Sequence, residues 1–194
     1  MDLPEKVANL SLNGENVQKK REDYIEWREY FMAIAFLAAK RSKDPSYQVG
    51  ACVVNKDNKI VGIGYNGLPL GCSDDDFPWG KNTPSPLDSK FLYVIYYEKM
   101  NAILNKNSAD LKNCTIYVGL FPCNECAKII IQSGITEVIY LSDEKAHKPM
   151  YIASKKMFDA AGVSYWYYSC VPVSRVIECN HVTSVTTGPW DITS

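Results

Sequence analysis

The first large apolar residues with a regular spacing follow a polar N-terminal stretch. Residues 1–22 show no periodicity and hold few large apolar side chains, which predicts a flexible tail without catalytic content. In residues 27–43 the apolar positions recur every three or four residues, which predicts a first helix with one buried stripe. These positions are Trp27, Phe31, Ile34, Leu37 and Ala38.

Two β-rich runs, residues 48–55 and 59–66, come next and are separated by three residues that include Asp57 and Asn58. Such a tight turn between strands predicts a hairpin. Residues 66–92 contain several Gly and Pro residues and an acidic run, so we expect a long loop there, of the length that is usually functional.

After this loop, helical and strand patterns alternate to residue 168. Strands that alternate with helices predict a three-layer α/β/α sandwich with an antiparallel hairpin at one side. The helices are expected to begin near Tyr97, at Asn124 and at Met150, and the strands to span 115–119, 137–141 and 163–168.

Composition narrows the classes of function. With 194 residues, of which 46% are hydrophobic and 22% charged, one soluble globular domain is expected. The formal net charge of -1 lacks the basic character that nucleic-acid polymers require, so small molecules are the expected partners. No apolar run approaches a membrane span and the N-terminus does not resemble a secretory signal, which predicts a cytoplasmic protein.

Seven cysteines at irregular spacings favour reduced thiols over a disulfide framework. One close pair, Cys123 and Cys126, follows Pro122 after a predicted strand. Thiols at i and i+3 at the start of a helix lie on one face, within reach of a single tetrahedral ion, and the helix N-terminus favours the thiolate form. On spacing alone, the pair is consistent with half of a zinc site or with a redox dithiol.

The sequence P-C-x-x-C is the second half of the zinc deaminase signature H-x-E…P-C-x-x-C. Together with longer stretches spread over residues 27–163, it resembles the deoxycytidylate (dCMP) deaminase family of the cytidine/deoxycytidylate deaminase superfamily. The stretches are EYFMAIAFLAAKRSKDP, QVGACVVN, KIVGIGYNG, GCSDD, FPW, NAILNKNS and LFPCNECAKIIIQSGI. The resemblance implies a cytidine deaminase-type domain over residues 23–170 with a mixed five-stranded sheet, followed by a divergent segment, 171–194.

The chain departs from the family where H-A-E is expected, because residues 95–100 read IYYEKM and hold one residue more than the family pattern. Alignment from the strand side places Tyr96 at the histidine and Glu98 at the catalytic glutamate, whereas alignment from Asn101 places Tyr97 and Lys99 there. We favour the first, since it keeps a carboxylate, with the extra residue absorbed as a bulge in the following helix. A phenol is a poor zinc ligand at neutral pH unless the ion deprotonates it.

The resemblance implies hydrolysis of dCMP to dUMP for thymidylate synthesis, with Zn²⁺ held by Cys123, Cys126 and Tyr96, and with Glu98 as proton carrier. It implies contacts to the 5′-phosphate from Arg41, Ser42 and Lys43, and to the sugar from Asn66. It also implies a homohexamer and an allosteric site for dCTP and dTTP with Mg²⁺, at Gly64, Tyr65, Asn66, Gly67, Gly71 and Asp75. Arg41 and Lys43 are equally consistent with helix C-terminal charges, and the acidic residues 74–76 with a solvated loop.

Because no imidazole occupies the histidine position, a second reading stays open. The chain is then a catalytically impaired relative that binds deoxynucleotides or associates with active subunits. His147 and His181 are expected to be solvated surface residues. Cys52 and Cys114 are expected to be small buried hydrophobes, which leaves Cys72 as the spare thiol to examine.

Overall fold

The computed structural model describes residues 20–81, 83–94 and 98–169, and for Glu98 the backbone alone. Most of the predicted tail and the C-terminal segment 171–194 therefore lie outside the described residues. The helices are α1 (Trp27–Ala39), α2 (Glu98–Leu104), α3 (Asn124–Gln132) and α4 (Pro149–Ala161). The strands are β1 (Gly50–Val54), β2 (Ile60–Tyr65), β3 (Thr115–Leu120), β4 (Glu137–Ser142) and β5 (Ser164–Tyr167).

The five strands form one mixed sheet in the order β2-β1-β3-β4-β5. The β1–β2 and β1–β3 pairs are antiparallel, whereas β3–β4 and β4–β5 are parallel. This arrangement confirms the predicted hairpin at one side of the sheet, and the parallel pairs follow from the helical crossovers α3 and α4.

Helices cover both faces of the sheet, as the alternation predicts. On one face α1 contributes Phe31, Met32 and Ala35 to a core that includes the β-strand residues Cys52 and Tyr117. The opposite face is covered by α2, α3 and α4. Their buried side chains there are Ala102, Ile103, Cys126, Ala127, Ile130, Tyr151 and Phe158.

Two glycines allow helices to approach the sheet closely. A Cβ atom at Gly50 would lie 2.1 Å from the carbonyl oxygen of Ala35 in α1, and one at Gly62 would lie 2.3 Å from that of Ala102 in α2. Both distances are far shorter than a van der Waals contact. The oxygen atoms belong to the helix backbone, so they cannot move without moving the helix. Any larger residue would push the helix away from the sheet.

Two local expectations differ from the structure. Helix α1 ends at Ala39, and the Arg41 and Ser42 amides form only single-turn bonds to the carbonyls of Ala38 and Ala39 (2.9 and 3.0 Å). Helix α2 is α-helical from its first residue, Glu98, to Leu104, so the expected bulge is absent from it.

The thiol expectations are confirmed for Cys52 and Cys114, which are 0% and 3% exposed. Residue 147 is exposed as expected, whereas His181 lies outside the described residues. Among the described helices, none has the length and apolar character needed to cross a membrane.

Candidate metal and nucleotide site

The two thiols of the P-C-x-x-C motif converge at the start of α3. Cys123 is the extended N-cap residue of this helix and Cys126 lies in its first turn, fixed by the bond from the Ala127 amide to the Cys123 carbonyl (2.9 Å). Their Sγ atoms lie 3.7 Å apart. The i, i+3 spacing thus places both sulfur atoms on the same side of the helix and close together, as predicted.

The surroundings of Cys123 favour its thiolate form. The pKa of Cys123 is lowered to about 6, and the hydrogen bond with the thiol of Cys126 is the largest cause. Burial opposes this shift, whereas the backbone amides of Cys126 and Glu125 and the ammonium of Lys99 reinforce it. In contrast, burial raises the pKa of Cys52 to about 12, so that thiol stays protonated.

The thiol pair has the geometry that zinc requires. Two sulfur ligands at about 2.3 Å from a tetrahedral ion are separated by about 3.8 Å, close to the observed 3.7 Å. Within residues 20–81, 83–94 and 98–169, no group of three or more His, Cys, Asp or Glu side chains could hold a metal. The described chain thus supplies two donors, and Tyr96, the candidate third, lies outside it.

The thiols lie in a cavity of about 300 Å³ on the face of the sheet that carries α2, α3 and α4. Its other polar lining comes from Lys99, Lys145, Asn66, Asn124 and Tyr47. The apolar lining consists of Val49, Phe91, Leu120, Phe121, Met150 and Tyr151. A cavity of this size, largely apolar with a few polar groups, is typical of a small-molecule site.

Helix α2 presents Lys99 to this cavity, and the side chain is only 4% exposed. Glu98 begins the same helix, but its side chain lies outside the described part of the chain. Lys99 was not among the residues favoured from the sequence. The sequence indicated Lys99 only through the second alignment, which is anchored at Asn101. The side-chain amide of Asn101 donates to the Tyr65 carbonyl (2.7 Å).

Asn66 forms part of the cavity wall and is held by three hydrogen bonds. Its Oδ1 accepts from the Val49 amide (3.0 Å), and its Nδ2 donates to the Tyr47 carbonyl (2.9 Å) and to Oδ2 of Asp44 (3.4 Å). Both amide protons are therefore used. One acceptor position on Oδ1 is left for a ligand hydroxyl.

Arg41 and Lys43 do not line the cavity of the thiols. They line a second cavity of about 270 Å³ together with the segment after β2. The second cavity is also lined by Tyr65, Asn66, Gly67, Leu68, Pro69, Leu70, Gly71, Cys72, Asp74 and Trp79. The structure thus places the two cations predicted to bind the substrate phosphate beside four of the residues predicted for an allosteric site. Cys72 lines the same cavity and not the cavity of Cys123.

The remaining predicted residues lie near the second cavity without lining it. Gly64 pairs with Ala51 within the sheet, and the Ser42 hydroxyl accepts from the Asp44 amide (3.3 Å). Asp75 is exposed, and its neighbour Asp74 forms an ion pair with Lys43.

Comparison with known proteins decides the family. Residues 25–142 match the family model described as the cytidine and deoxycytidylate deaminase zinc-binding region. The chain belongs to this family. The match contains α1, the hairpin, α2 and the thiol pair of α3, and it includes every lining residue of the two cavities except Lys145, Met150 and Tyr151.

Among its relatives in this family are proteins named deoxycytidylate deaminase. The chain is 60% identical to the one from Homo sapiens over 147 residues, which are 76% of this chain and 82% of that protein. It is 56% identical to the one from Mus musculus over 166 residues, 86% of this chain and 93% of that protein.

A solved structure of the family has the same fold. The dCMP deaminase of cyanophage S-TIM5, determined in complex with dCMP and dUMP, matches with a TM-score of 0.56 and 23% identity. The match covers 75% of this chain and all of that one. It confirms the expected cytidine deaminase-type sandwich.

Proposed function

We propose that this chain is a dCMP deaminase, a zinc-dependent hydrolase that converts dCMP to dUMP for thymidylate synthesis. The observation that carries the proposal is the thiol pair at 3.7 Å inside a nucleotide-sized cavity, in a chain 56–60% identical to proteins named deoxycytidylate deaminase. Small-molecule deoxynucleotides, and not nucleic-acid polymers, are the proposed partners.

In this reaction the oxygen of water bonds to C4 of cytosine, the bond from C4 to the exocyclic nitrogen breaks, and ammonia leaves. Cys123 and Cys126 would hold zinc, with Tyr96 as the proposed third donor after loss of its phenolic proton. Zinc in such a site lowers the pKa of a water molecule. Glu98 is the proposed proton carrier, first to N3 of the base and then to the departing amine.

The remaining cavity residues hold and orient the nucleotide. Phe121 and Tyr151 are buried in the cavity lining, and a base packed against them would lose part of its contact with water. The free acceptor position on Asn66 is directed to a sugar hydroxyl in this proposal. The three hydrogen bonds of its side chain keep the acceptor in place before the substrate arrives.

The second cavity is the proposed regulatory site for dCTP and dTTP. The cations of Arg41 and Lys43 favour a triphosphate, and Gly67 and Gly71, which have no side chain, leave the backbone accessible to it. Asp74 and Asp75 are the proposed carboxylates for the accompanying Mg²⁺. A cytoplasmic homohexamer is proposed from the family resemblance.

The deciding experiment measures zinc content and ammonia release from dCMP with the purified full-length chain. We expect about one zinc per chain and steady release of ammonia, both lost in Cys126→Ser. Cys72→Ser is the matched control, because it removes a thiol from the second cavity and leaves the metal site intact. A zinc-loaded chain that releases no ammonia from dCMP would refute the proposal.

A further inference from the structure

Lys99 is a buried cation in the part of the cavity that holds the thiols. It is 4% exposed and lines the cavity together with Cys123 and Cys126. The hydrogen bond with Cys126 is the main cause of the lowered pKa of Cys123, and the ammonium of Lys99 adds to it. Burial raises the pKa of Tyr151 to about 12, and the same ammonium opposes that rise. The charge therefore lies close to both the thiols and the Tyr151 ring.

Helix α2 keeps Lys99 in this place because the helix is fixed against β2. The side-chain amide of Asn101 donates to the Tyr65 carbonyl (2.7 Å). The missing side chain of Gly62 lets the backbone of Ala102 lie directly against the strand. Helix α2 cannot rotate or shift along the sheet without breaking these contacts. The lysine therefore belongs to a wall of the cavity that is formed before a ligand arrives.

The chemistry of an ammonium determines which base it accepts as a neighbour. An ammonium offers hydrogen-bond donors and no acceptor. The two bases of the proposed reaction differ at the atom bonded to C4. Cytosine carries an amine there, which also presents donors, whereas uracil carries the carbonyl oxygen O4, which is an acceptor. A lysine beside C4 therefore attracts uracil and opposes cytosine.

The surroundings strengthen a hydrogen bond from this ammonium. The cavity walls include the buried rings of Phe121 and Tyr151, and no carboxylate is among the described side chains that line it. A charge-assisted hydrogen bond gains strength where the surroundings are less polar than water. The cavity therefore favours a ligand that presents an acceptor to Lys99.

We propose that Lys99 donates a hydrogen bond to O4 of the pyrimidine, so that the cavity binds dUMP more tightly than dCMP. This proposal rests on the proposed dCMP deaminase function, which places C4 of the base beside the thiols. In that reaction O4 is the oxygen that comes from water, so the contact is complete only in the product. Lys99 is then a residue that determines specificity, and it makes the chain sensitive to inhibition by its own product.

The test uses three ligands that differ by one atom. Calorimetry with the zinc-loaded full-length chain measures the Kd of dUMP, 4-thio-dUMP and 2-thio-dUMP. Sulfur accepts hydrogen bonds less strongly than oxygen, so the 4-thio ligand lacks the strong acceptor at C4 and the 2-thio ligand lacks the one at C2. We expect Lys99→Met to weaken dUMP and 2-thio-dUMP about tenfold or more and to leave 4-thio-dUMP nearly unchanged. Because the effect of the substitution is compared ligand by ligand, a direct effect of sulfur on zinc cancels.

Two further variants separate the hydrogen bond from the charge. Lys99→Gln keeps an N–H donor without the charge, so we expect it to weaken dUMP less than Lys99→Met does. Lys106→Met is the matched control, because it removes an exposed lysine after α2 that does not line the cavity, and it should leave all three Kd values unchanged. In the ammonia assay, Lys99→Met should raise the inhibition constant of dUMP without raising the KM for dCMP.

An unchanged Kd of dUMP in Lys99→Met overturns the proposal, even when dCMP is deaminated normally. Equal losses for the three ligands also overturn it, because they show a general loss of the cavity. A loss that spares 4-thio-dUMP, in a zinc-loaded chain that releases no ammonia, supports the contact to O4 and refutes the deaminase function. The two failures are thus distinguishable.

Discussion

Lys90 and Asp44 form an ion pair in which both side chains are completely inaccessible to solvent. The same carboxylate accepts hydrogen bonds from the amides of Ser46 and Tyr47 (2.8 and 3.1 Å) and from Asn66 (3.4 Å). The pair therefore fixes the segment between α1 and β1, which supplies one wall of the proposed catalytic cavity.

Removal of the cation is expected to be costly. Lys90→Met leaves the Asp44 carboxylate buried without its ionic partner, so we expect the free energy of unfolding to fall by about 3–5 kcal/mol, measured by urea denaturation. Lys43→Met is the control, because its pair with Asp74 is exposed and is expected to contribute less than about 1 kcal/mol. Similar losses for the two variants would contradict the special role of the buried pair.

A single methyl group at Gly50 is expected to disturb the contact between α1 and the sheet. Its Cβ would lie 2.1 Å from the Ala35 carbonyl oxygen, so Gly50→Ala must displace the helix. We expect thermal denaturation to show a loss of about 1–3 kcal/mol or more. At Gly67 a Cβ meets nothing within 4 Å, and Gly67→Ala should be close to neutral; a neutral Gly50→Ala would show that α1 moves freely.

The regular elements could be predicted from the sequence because their signals are local. The spacing of Trp27 and Phe31 and the motif at Cys123 each depend on a few neighbouring residues. The pair of Lys90 and Asp44 spans 46 residues, and its formation depends on the path of a long loop that has no periodic pattern. No local signal indicates it.

The sites were predictable in part for the same reason. The separation of Arg41 from the thiols depends on where α1 ends and on the path after β2, and the sequence does not specify either. At α2, both alignments agree with the sequence, which does not specify which side chains of the helix line the cavity. The structure places Lys99 there, whereas the predicted roles of Glu98 and Tyr96 stay predictions.

The thiolate of Cys123 should be detectable by its reactivity after zinc is removed with a chelator. Because its pKa is lowered to about 6 from an ordinary value of 9.0, we expect alkylation by iodoacetamide to rise with pH around a midpoint near 6. Mass spectrometry of the modified peptide gives the rate at each pH. Cys52, buried and with its pKa raised to about 12, is the internal control and should stay unmodified.

The lowered pKa of Cys123 also makes the free energy of unfolding depend on pH. The folded state holds Cys123 as a thiolate more readily than the unfolded chain, so its contribution is fully present above the ordinary thiol pKa and falls as pH drops through about 6. In the metal-free protein, Cys123→Ser should reduce the difference in stability between pH 6 and 9. An unchanged pH dependence would contradict the assigned shift.

The charge of Lys99 is expected to weaken zinc binding. At pH 8, where Cys123 is already a thiolate, the help that Lys99 gives to its deprotonation no longer matters, and the repulsion between a buried ammonium and a divalent cation in a medium of reduced dielectric constant remains. At this pH Lys99→Met should tighten zinc about tenfold in a chelator competition assay. Lys99→Glu should have a larger effect. Lys106→Met, at an exposed position after α2, changes the net charge equally and should leave the affinity unchanged; equal affinities in all variants would remove Lys99 from the metal site.

Asn66 lines both cavities, and the bonds to Asp44, Tyr47 and Val49 tie that single side chain to the protein interior. Because Asn66 contributes to the lining of both cavities, its substitution changes both of them at once. Substitutions of Asn66 will therefore mix two phenotypes, whereas Arg41 and Lys145 each line one cavity alone and are the positions from which the two compartments can be dissected separately.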